Sequence, residues 1–225
     1  MDIQITNADI NAINEGESNF INNKGAKLYQ EETYEESIEY YRLAAAMGNA
    51  QSISNLGYCY LYGRSIPINV DLAIQYFKIA AKRGVIDAIY KLGDIYSRDK
   101  WGKKDTEMAQ YYYQKGLDYF NEEYGTWHLY DIEEAIEYPS LFFALARESM
   151  PGGIRNTDIV NAYDWLKTAE KGYKILITEG NKYYEESYQN VIKLLDDPIF
   201  TDEIIEEFHD RYGYYLEENT DEGEE

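Results

Sequence analysis

The stretch that decides the fold is Ala73-Ile-Gln-Tyr-Phe-Lys-Ile-Ala-Ala-Lys-Arg-Gly84, because it recurs along the chain at a fixed spacing. The stretch Ser37-Ile-Glu-Tyr-Tyr-Arg-Leu-Ala-Ala-Ala-Met-Gly48 stands 36 residues earlier. A third copy begins at Ala109, again 36 residues later, and a fourth begins at Ala162, after a further 53. Self-similarity at a period of this length is typical of repeat proteins, in which each repeat is one supersecondary unit that packs on its neighbours.

Each copy carries small and aromatic residues at positions i, i+3, i+4 and i+7, which predicts an amphipathic helix, here called helix B. Four residues before each copy stands a side chain that can accept a hydrogen bond from a free N–H group at a helix start. These predicted caps are Thr33, Asn69, Asp105 and Asp158. Thr33 and Glu36 together predict a capping box. Three glycines are predicted to close B helices: Gly48, Gly84 and Gly172.

A shorter motif precedes each B helix and predicts a partner, helix A. Its clearest copies are Leu56-Gly-Tyr-Cys-Tyr-Leu-Tyr-Gly63 and Leu92-Gly-Asp-Ile-Tyr96. Gly25-Ala-Lys-Leu28 and Leu145-Ala146 stand in the same place in the first and fourth units. The Gly or Ala in each copy leaves room for helix B to cross closely.

The combined pattern is Leu-Gly-x-x-Tyr-x-x-Gly, a loop, a polar cap, then Ala-x-x-Tyr-Phe-x-x-Ala-Ala-x-x-Gly, and it resembles the Sel1-like repeat. The first unit is similar to the related tetratricopeptide repeat. The resemblance covers roughly residues 20–175 and implies an all-α fold, a right-handed α-α superhelix (solenoid) of about four helical hairpins. We expect the repeat solenoid at 1–180, two C-terminal capping helices of the same domain at 181–216, and an acidic disordered tail at 217–225.

The two capping helices are expected at about 182–196 and 201–217, with Thr201 as a cap and Pro198 in the turn between them. Seventeen extra residues separate the third and fourth units. We expect the third B helix to run on to Tyr124, Gly125 to break it, and a return helix to begin near Asp131.

Pro139 follows in this insertion. A proline inside a helix removes a hydrogen bond and clashes with the preceding turn, so we expect a kink or a fresh helix start there.

Composition excludes several classes of function. The chain has 225 residues, one Cys, two His and a formal charge of −21. One Cys excludes a disulfide scaffold and a thiolate zinc site. An acidic chain repels phosphate, so we expect no binding to nucleic acid or to anionic membranes. The chain has no apolar run long enough to span a membrane and no secretory signal pattern at its amino terminus, so we expect a cytoplasmic protein.

The sequence predicts no catalytic residue, no metal site and no cofactor. Cys59 lies among the packing residues of a helix A, which predicts a buried thiol rather than a nucleophile. Glu206 and His209 share a helix, but a zinc helix needs two His at i and i+4. Glu133, Glu134 and Glu137 are carboxylates in a chain so rich in acids that such pairs arise without a function.

Two groups stand out among the 25 tyrosines. The first group occupies repeat-core positions and is predicted to pack between helices: Tyr40, Tyr41, Tyr60, Tyr76, Tyr96, Tyr112 and Tyr113. The second group lies on the other face of helix A, which the resemblance implies is the concave surface of the stack.

The candidate partner-binding residues on that concave face are Asn55, Tyr58, Tyr62, Lys91, Asp94, Arg98 and Arg147. Tyr and Arg are the residue types that dominate binding hot spots, because they bring a large contact area with a polar end. Ordinary exposed surface is the alternative interpretation of these positions.

We therefore predict a non-catalytic protein–protein interaction module or scaffold that holds a peptide or a helix of a protein partner in its concave groove. The acidity favours a basic partner. The alternative is an acidic immunity or inhibitor protein that neutralises a basic toxin such as a nuclease. A third hypothesis, a cell-wall or β-lactam hydrolase, comes from a secreted Sel1-like subgroup held together by paired cysteines, which a chain with Cys59 alone does not resemble.

Overall fold

The computed structural model describes residues 5–125, 133–155 and 157–212. All regular secondary structure in these ranges is helical, which confirms the all-α prediction. The chain divides into two compact units, Met1–Phe120 and Asn121–Glu225, and each unit is described by itself.

The described part of the first unit contains a terminal helix followed by three helical hairpins. Its helices are α1 (Asn7–Glu15), α2 (Ser18–Gln30), α3 (Tyr34–Ala46), α4 (Ala50–Tyr62), α5 (Val70–Ala81), α6 (Ile86–Ser97) and α7 (Thr106–Tyr124), of which residues 121–124 belong to the second unit. Helices α2, α4 and α6 are the predicted A helices, and α3, α5 and α7 are the predicted B helices. From α2 to α6 each helix packs on the next, and stacked tyrosine rings join α6 to α7. The stack of helical hairpins is therefore confirmed.

The B helices of this unit begin directly after their predicted caps. The Asn69 side chain accepts a hydrogen bond from the backbone N–H of Leu72 at 3.0 Å, and Asp105 accepts one from Met108 at 3.0 Å. The backbone passes Gly48 and Gly84 with φ of 94° and 83° just beyond the ends of α3 and α5, so both glycines end their helices as predicted.

The predicted capping box at Thr33 and Glu36 is wrong. Helix α3 does begin after Thr33, but the Thr33 side chain caps no backbone N–H of that helix. Its hydroxyl instead donates a hydrogen bond to the carbonyl oxygen of Leu28 at 3.0 Å. Thr33 stands only three residues after the end of α2, so its hydroxyl bonds to the last turn of α2 instead of capping the first turn of α3.

All three A helices of this unit cross their B helices at glycines that leave no room for a side chain. A Cβ atom on Gly25 would lie 2.9 Å from the ring of Tyr41. The other two crossings are as close. A Cβ atom on Gly57 would lie 2.8 Å from the ring of Phe77, and one on Gly93 would lie 2.6 Å from the ring of Tyr113. No such approach is possible for a residue with a side chain unless a neighbour moves. The predicted close crossing of A and B helices is confirmed at all three positions.

Tyrosine rings fill the space between the two helices of a hairpin, as predicted. Tyr60 of α4 stacks on Tyr76 of α5, with ring centroids 5.5 Å apart and planes within 10°. Tyr96 of α6 stacks on Tyr112 of α7 in the same way, at 5.9 Å and 5°. The two pairs are 36 residues apart, so the repeat reproduces one aromatic stack in successive hairpins. The remaining tyrosines of the predicted core group, Tyr40, Tyr41 and Tyr113, are buried.

Helix α1 is not predicted from the sequence, and a buried carboxylate fixes it to the first hairpin. Thr6 and Asp9 form a capping box, with the Thr6 N–H donating to Asp9 Oδ2 at 2.7 Å. The fully buried Asp9 carboxylate also accepts hydrogen bonds from Lys24 Nζ at 2.7 Å and from the Tyr40 hydroxyl at 3.0 Å. Burial alone would raise the pKa of Asp9, but the donors of Lys24, Thr6 and Tyr40 outweigh it and lower the pKa to about 2.

The described part of the second unit contains the fourth hairpin and the helices around it. Its helices are α8 (Glu133–Ile136), α9 (Pro139–Ser149), α10 (Ile159–Thr178), α11 (Glu185–Leu195) and α12 (Asp202–Tyr212), with a short 3-10 turn at Lys182–Tyr184. Helices α9 and α10 form the hairpin, and α8, α11 and α12 all pack on α10.

The insertion between the third and fourth units follows the prediction where it is described. Helix α7 extends to Tyr124, and Gly125 has φ of 95° at its end. Pro139 is the first residue of α9, so the fresh helix start is confirmed. The predicted start of the return helix near Asp131 lies outside the described residues.

The prediction that Gly172 ends a helix is wrong. Helix α10 begins after the predicted cap Asp158, which accepts a hydrogen bond from Val160 N–H at 2.9 Å, and continues past Gly172 to Thr178. A Cβ atom on Gly172 would collide with the carbonyl oxygen of Ile136 in α8. This glycine therefore permits a close helix contact, as Gly57 and Gly93 do in the first unit.

The two C-terminal helices are present as α11 and α12. Thr201 Oγ1 accepts a hydrogen bond from Ile204 N–H at 3.4 Å, and Pro198 lies in the turn between the helices. Residues 213–225, which include the predicted tail, lie outside the described residues. The capping of the stack by this helix pair stays a prediction.

Replacement of Asp9 by Asn should lower the free energy of unfolding by about 2 kcal/mol at pH 7, the value of a pKa shift from 3.8 to about 2. Because the folded-state pKa is lowered, the carboxylate contributes this stability above pH 4 and loses it as the pH falls from about 4 to about 2. Urea unfolding at pH 7, 4 and 2.5 measures the effect. The control is Asp71→Asn, since the Asp71 side chain is 75 % exposed; equal losses in both variants would contradict the assignment.

Replacement of Gly57 by Ala should destabilise the fold by about 2 kcal/mol, because the added Cβ meets the ring of Phe77. In a Phe77→Leu background the smaller side chain can retreat, so the same replacement should cost roughly half as much or less. Urea unfolding of the two single variants and the double variant measures the coupling. If the losses of the two single variants add up to the loss of the double variant, the contact with the Phe77 ring does not set how closely α4 and α5 can approach.

Candidate functional site

The candidate site is the surface formed by half-buried and exposed side chains of α2, α4 and α6 in the first unit, here called the A-helix face. Aligning the three helices on their crossing glycines places equivalent positions in rows across the face. One row consists of Asn19, Gln51 and Asp87. The next rows are Asn23, Asn55 and Lys91, then Ala26, Tyr58 and Asp94, then Gln30, Tyr62 and Arg98. Six of the seven predicted site residues belong to these rows.

Four predicted residues come together at the centre of the A-helix face. Tyr58 and Tyr62 stack with centroids 6.2 Å apart and planes within 10°. Lys91 Nζ lies 5.4 Å from the centre of the Tyr58 ring, a cation–π contact, and forms an ion pair with Asp94 Oδ2 at 3.3 Å. The centre of the face is thus an aromatic pair with an ammonium group above it.

Asp94 is also tied to the core. Its Oδ1 atom accepts a hydrogen bond from the hydroxyl of Tyr113 at 2.8 Å, and Tyr113 is fully buried on α7. One carboxylate therefore satisfies a buried hydroxyl and holds Lys91 in place. The sequence prediction of Asp94 as a partner contact did not include this structural role.

Two aromatic residues of the site were not predicted from the sequence. The hydroxyl of Tyr90 lies 3.1 Å from that of Tyr58, and Trp101 packs edge-on against the Tyr62 ring at 5.9 Å. Burial, followed by the nearby Tyr90 and Asp87, raises the pKa of Tyr58 well above its ordinary value, so this hydroxyl stays neutral. Tyr90 stands one helical turn before Asp94, a spacing that could have revealed it.

Amide side chains join α2 to α4 beside this centre. Asn22 Oδ1 accepts hydrogen bonds from Ser52 Oγ at 2.7 Å and from Asn55 Nδ2 at 3.1 Å. Asn49 Nδ2 donates to Asn19 Oδ1 at 2.8 Å. These bonds fix Asn55, and they leave its Oδ1 with no hydrogen-bond partner in the described part of the chain.

The two predicted arginines are placed differently. Arg98 is exposed at the end of α6, where the backbone turns to an extended conformation. Arg147 belongs to the second unit, where Nε donates to Glu148 Oε1 at 2.9 Å and the guanidinium lies 5.7 Å from the Phe143 ring centre. Membership of Arg147 in the same surface stays a prediction.

Cys59 is fully buried beneath the face. Burial raises the pKa of its thiol to about 12, and Arg64 and Arg42 offset this only in part. In residues 5–125, 133–155 and 157–212, no three His, Cys, Asp or Glu side chains gather where they could hold a metal ion. Among the helices of those same ranges, none combines the length and the apolar character needed to cross a membrane.

The Sel1 repeat family model matches three consecutive segments of the chain, residues 32–49, 50–85 and 86–118. The second and third segments begin at the first residues of α4 and α6; the second covers α4 and α5, and the third covers α6 and the part of α7 up to residue 118. A comparison with curated proteins gives no match.

Two solved structures are similar to this chain. A Sel1 repeat protein from Oxalobacter formigenes is 20 % identical over 79 % of this chain and 86 % of its own, with a TM-score of 0.42. The protein c5321, a protective antigen present in uropathogenic Escherichia coli strains that displays an SLR fold, is 15 % identical. That similarity covers 90 % of this chain and 55 % of c5321, with a TM-score of 0.43.

Cys59 should not react with a thiol reagent in the folded protein, because its thiol is buried and has a pKa of about 12. Native protein at pH 8 should give less than about one tenth of the Ellman reaction of the same protein in guanidinium chloride. Complete reaction of native protein within seconds would contradict the burial and reopen the thiol as a nucleophile.

Proposed function

We propose that the A-helix face binds a segment of a protein partner, because the Sel1 repeat family model matches residues 32–49, 50–85 and 86–118 and proteins of that family generally mediate protein–protein interaction. The observation that carries the proposal is the cluster of Tyr58, Tyr62 and Lys91, with large aromatic area and polar ends left half-buried on one surface. Side chains of this kind supply most of the binding energy in protein interfaces.

The A-helix face is also held rigid before any partner arrives. Lys91 is positioned by Asp94, which is anchored by Tyr113, and Asn55 is held by Asn22. Side chains fixed in this way lose little conformational entropy on binding, so more of the contact energy appears as affinity. A rigid polar and aromatic face suits an extended peptide or one side of a helix.

We propose a non-catalytic role for this interaction, in keeping with a family whose members are typically non-enzymatic scaffolds. The formal charge of −21 favours a basic partner and would speed its encounter with the chain at low salt. An inhibitor of a basic toxin would use the same face, so the identity of the partner distinguishes a scaffold from an inhibitor.

Affinity capture followed by mass spectrometry tests the proposal with variants that spare the core. Tyr62→Ala and Lys91→Ala each remove a half-buried side chain of the face, whereas Tyr58 is left unchanged because it packs on Phe77 with centroids 5.0 Å apart. The control is Tyr111→Ala, which removes an aromatic side chain that is 55 % exposed on α7.

A partner retained by wild type and by the control should be lost from both face variants. Its dissociation constant, measured by calorimetry with the purified partner, should rise about tenfold for Tyr62→Ala. Recovery of the same proteins in equal amount by all four chains would rule out the A-helix face. Recovery of a nuclease or another basic toxin would favour the inhibitor role.

A further inference from the structure

The connection between α6 and α7 is locally basic in an acidic chain. It contains Arg98, Lys100, Lys103 and Lys104 within seven positions, together with one carboxylate, Asp99. The whole chain has only 21 basic residues against 42 acidic ones, so four in seven positions is a concentration of positive charge. The charge at the end of α6 is therefore opposite in sign to the charge of the chain.

Two of these four cations are paired with carboxylates, and two are not. Lys103 pairs with a carboxylate of α5, and Lys104 Nζ lies 3.7 Å from Asp99 Oδ2. Arg98 and Lys100 are exposed, and neither forms an ion pair in the part of the chain that the structure describes. They stand two residues apart, so their Cα atoms are at most about 7 Å from each other. One carboxyl group from outside is therefore within reach of both side chains.

The connection is held in a fixed conformation. The Asp105 N–H donates to the carbonyl oxygen of Tyr96 at 2.8 Å, which joins the two ends of the connection. Between these ends, Asp99–Trp101 forms a short 3-10 turn. Lys103 Nζ lies 2.5 Å from Asp71 Oδ1, which ties the connection to the first turn of α5. Groups carried by an ordered loop lose little conformational entropy when a ligand binds.

The same connection places an aromatic ring beside the A-helix face. Trp101 is half-buried and packs edge-on against Tyr62, with ring centroids 5.9 Å apart. The Lys100 ammonium lies 4.7 Å from the centre of the Trp101 ring, a cation–π contact that keeps this exposed charge next to the face. An ammonium group has three N–H donors, and contact with one ring leaves donors available to a carboxylate. Lys100 is thus positioned by the ring and still open to a ligand.

Apolar surface is exposed next to Tyr62 as well. The side chain of Ile68, in the connection between α4 and α5, is 61 % exposed. A Cβ atom on Gly63, the residue after Tyr62, would lie 2.7 Å from Ile68 Cγ1, so the Ile68 side chain covers this glycine. A segment that docks here can bury apolar area close to the charged groups.

We propose that Arg98 and Lys100, beside the rings of Trp101 and Tyr62, form a subsite for an aspartate or glutamate side chain of the partner segment. The subsite rests on the proposed function of the A-helix face and specifies the residue type that this face selects at the end of α6. The incoming carboxylate supplies the counter-charge that the two cations lack, and it accepts charge-assisted hydrogen bonds from them. The partner as a whole can still be basic, because the net charge of the chain acts over a longer range than these contacts.

Nuclear magnetic resonance titration of the full-length, nitrogen-15-labelled protein tests the subsite with three synthetic peptides. The probes are acetyl-Gly-Phe-Xaa-Gly-amide, in which Xaa is Glu, Gln or Lys and the Phe supplies an apolar group. The Glu peptide should shift the indole N–H signal of Trp101 and the amide signal of Lys100 in a saturable way at millimolar concentration. The Gln peptide should bind about fivefold more weakly, and the Lys peptide more weakly still.

Two variants that lose the same charge separate the subsite from a general effect of net charge. Lys100→Gln should weaken binding of the Glu peptide about threefold, and addition of Arg98→Gln should bring the loss to about fivefold. The control is Lys115→Gln, which removes a lysine that also lies over an aromatic ring, that of Tyr111 at 5.9 Å, but further along α7. It should change the affinity less than about 1.5-fold.

Equal weakening by Lys100→Gln and Lys115→Gln, or equal affinity for the Glu and Gln peptides, would overturn the subsite. A wild-type chain whose Trp101 and Lys100 signals do not move with the Glu peptide would also overturn it. None of these results bears on the A-helix face as a docking surface, because capture by the Lys91→Ala variant tests that face separately.

The alternative occupant of the subsite is the segment 217–225 of this chain, in which six of nine residues are acidic. A chain shortened to end at Leu216 distinguishes the two occupants. Its Trp101 indole signal should match that of the full-length protein when no peptide is present. A shifted signal, together with much tighter binding of the Glu peptide, would overturn a partner residue as the occupant.

Discussion

The first unit depends on direct contact between an aromatic ring of a B helix and a backbone glycine of the preceding A helix. Phe77 lies on Gly57 and Tyr113 lies on Gly93, and neither contact leaves space for one carbon atom more. This approach brings the two helices of a hairpin close enough to share a core. It also fixes the rotation of each A helix, so the residues just before and after its glycine become the A-helix face.

Much of this fold follows from the sequence because its determinants are local. Polar caps at Asn69, Asp105 and Asp158 and the proline at Pro139 act within one helical turn, and their positions in the chain reveal them directly. The errors arise where a residue has two compatible uses. Glycine is common at helix ends, but Gly172 lies inside α10, where it allows the carbonyl oxygen of Ile136 to approach closely. The Thr33 hydroxyl bonds to α2 instead of capping α3.

The site is predictable only in part for a related reason. Helical spacing within one A helix groups Tyr58 with Tyr62 and Lys91 with Asp94, and the structure brings all four together. Contacts between helices depend on how neighbouring helices are aligned, which spacing within one helix does not specify. The Tyr58–Tyr90 hydroxyl contact, the Asn22 bridge and the Asp94–Tyr113 bond are all of this second kind. Helix α1 was not predicted because its sequence does not match the repeat. It is held in place by a single buried carboxylate, that of Asp9.

The rows of the A-helix face have a consequence for how such a protein can change. A side chain on Gly57 or Gly93 would meet an aromatic ring, whereas the row of Asn19, Gln51 and Asp87 holds a different side chain in each hairpin. Under the proposed function, the fold and the recognition of a partner therefore depend on separate positions of the same helix. A lineage could exchange one partner for another by substitutions in these rows, or lengthen its binding surface by duplicating a hairpin, without disturbing the contacts on which the stack is built.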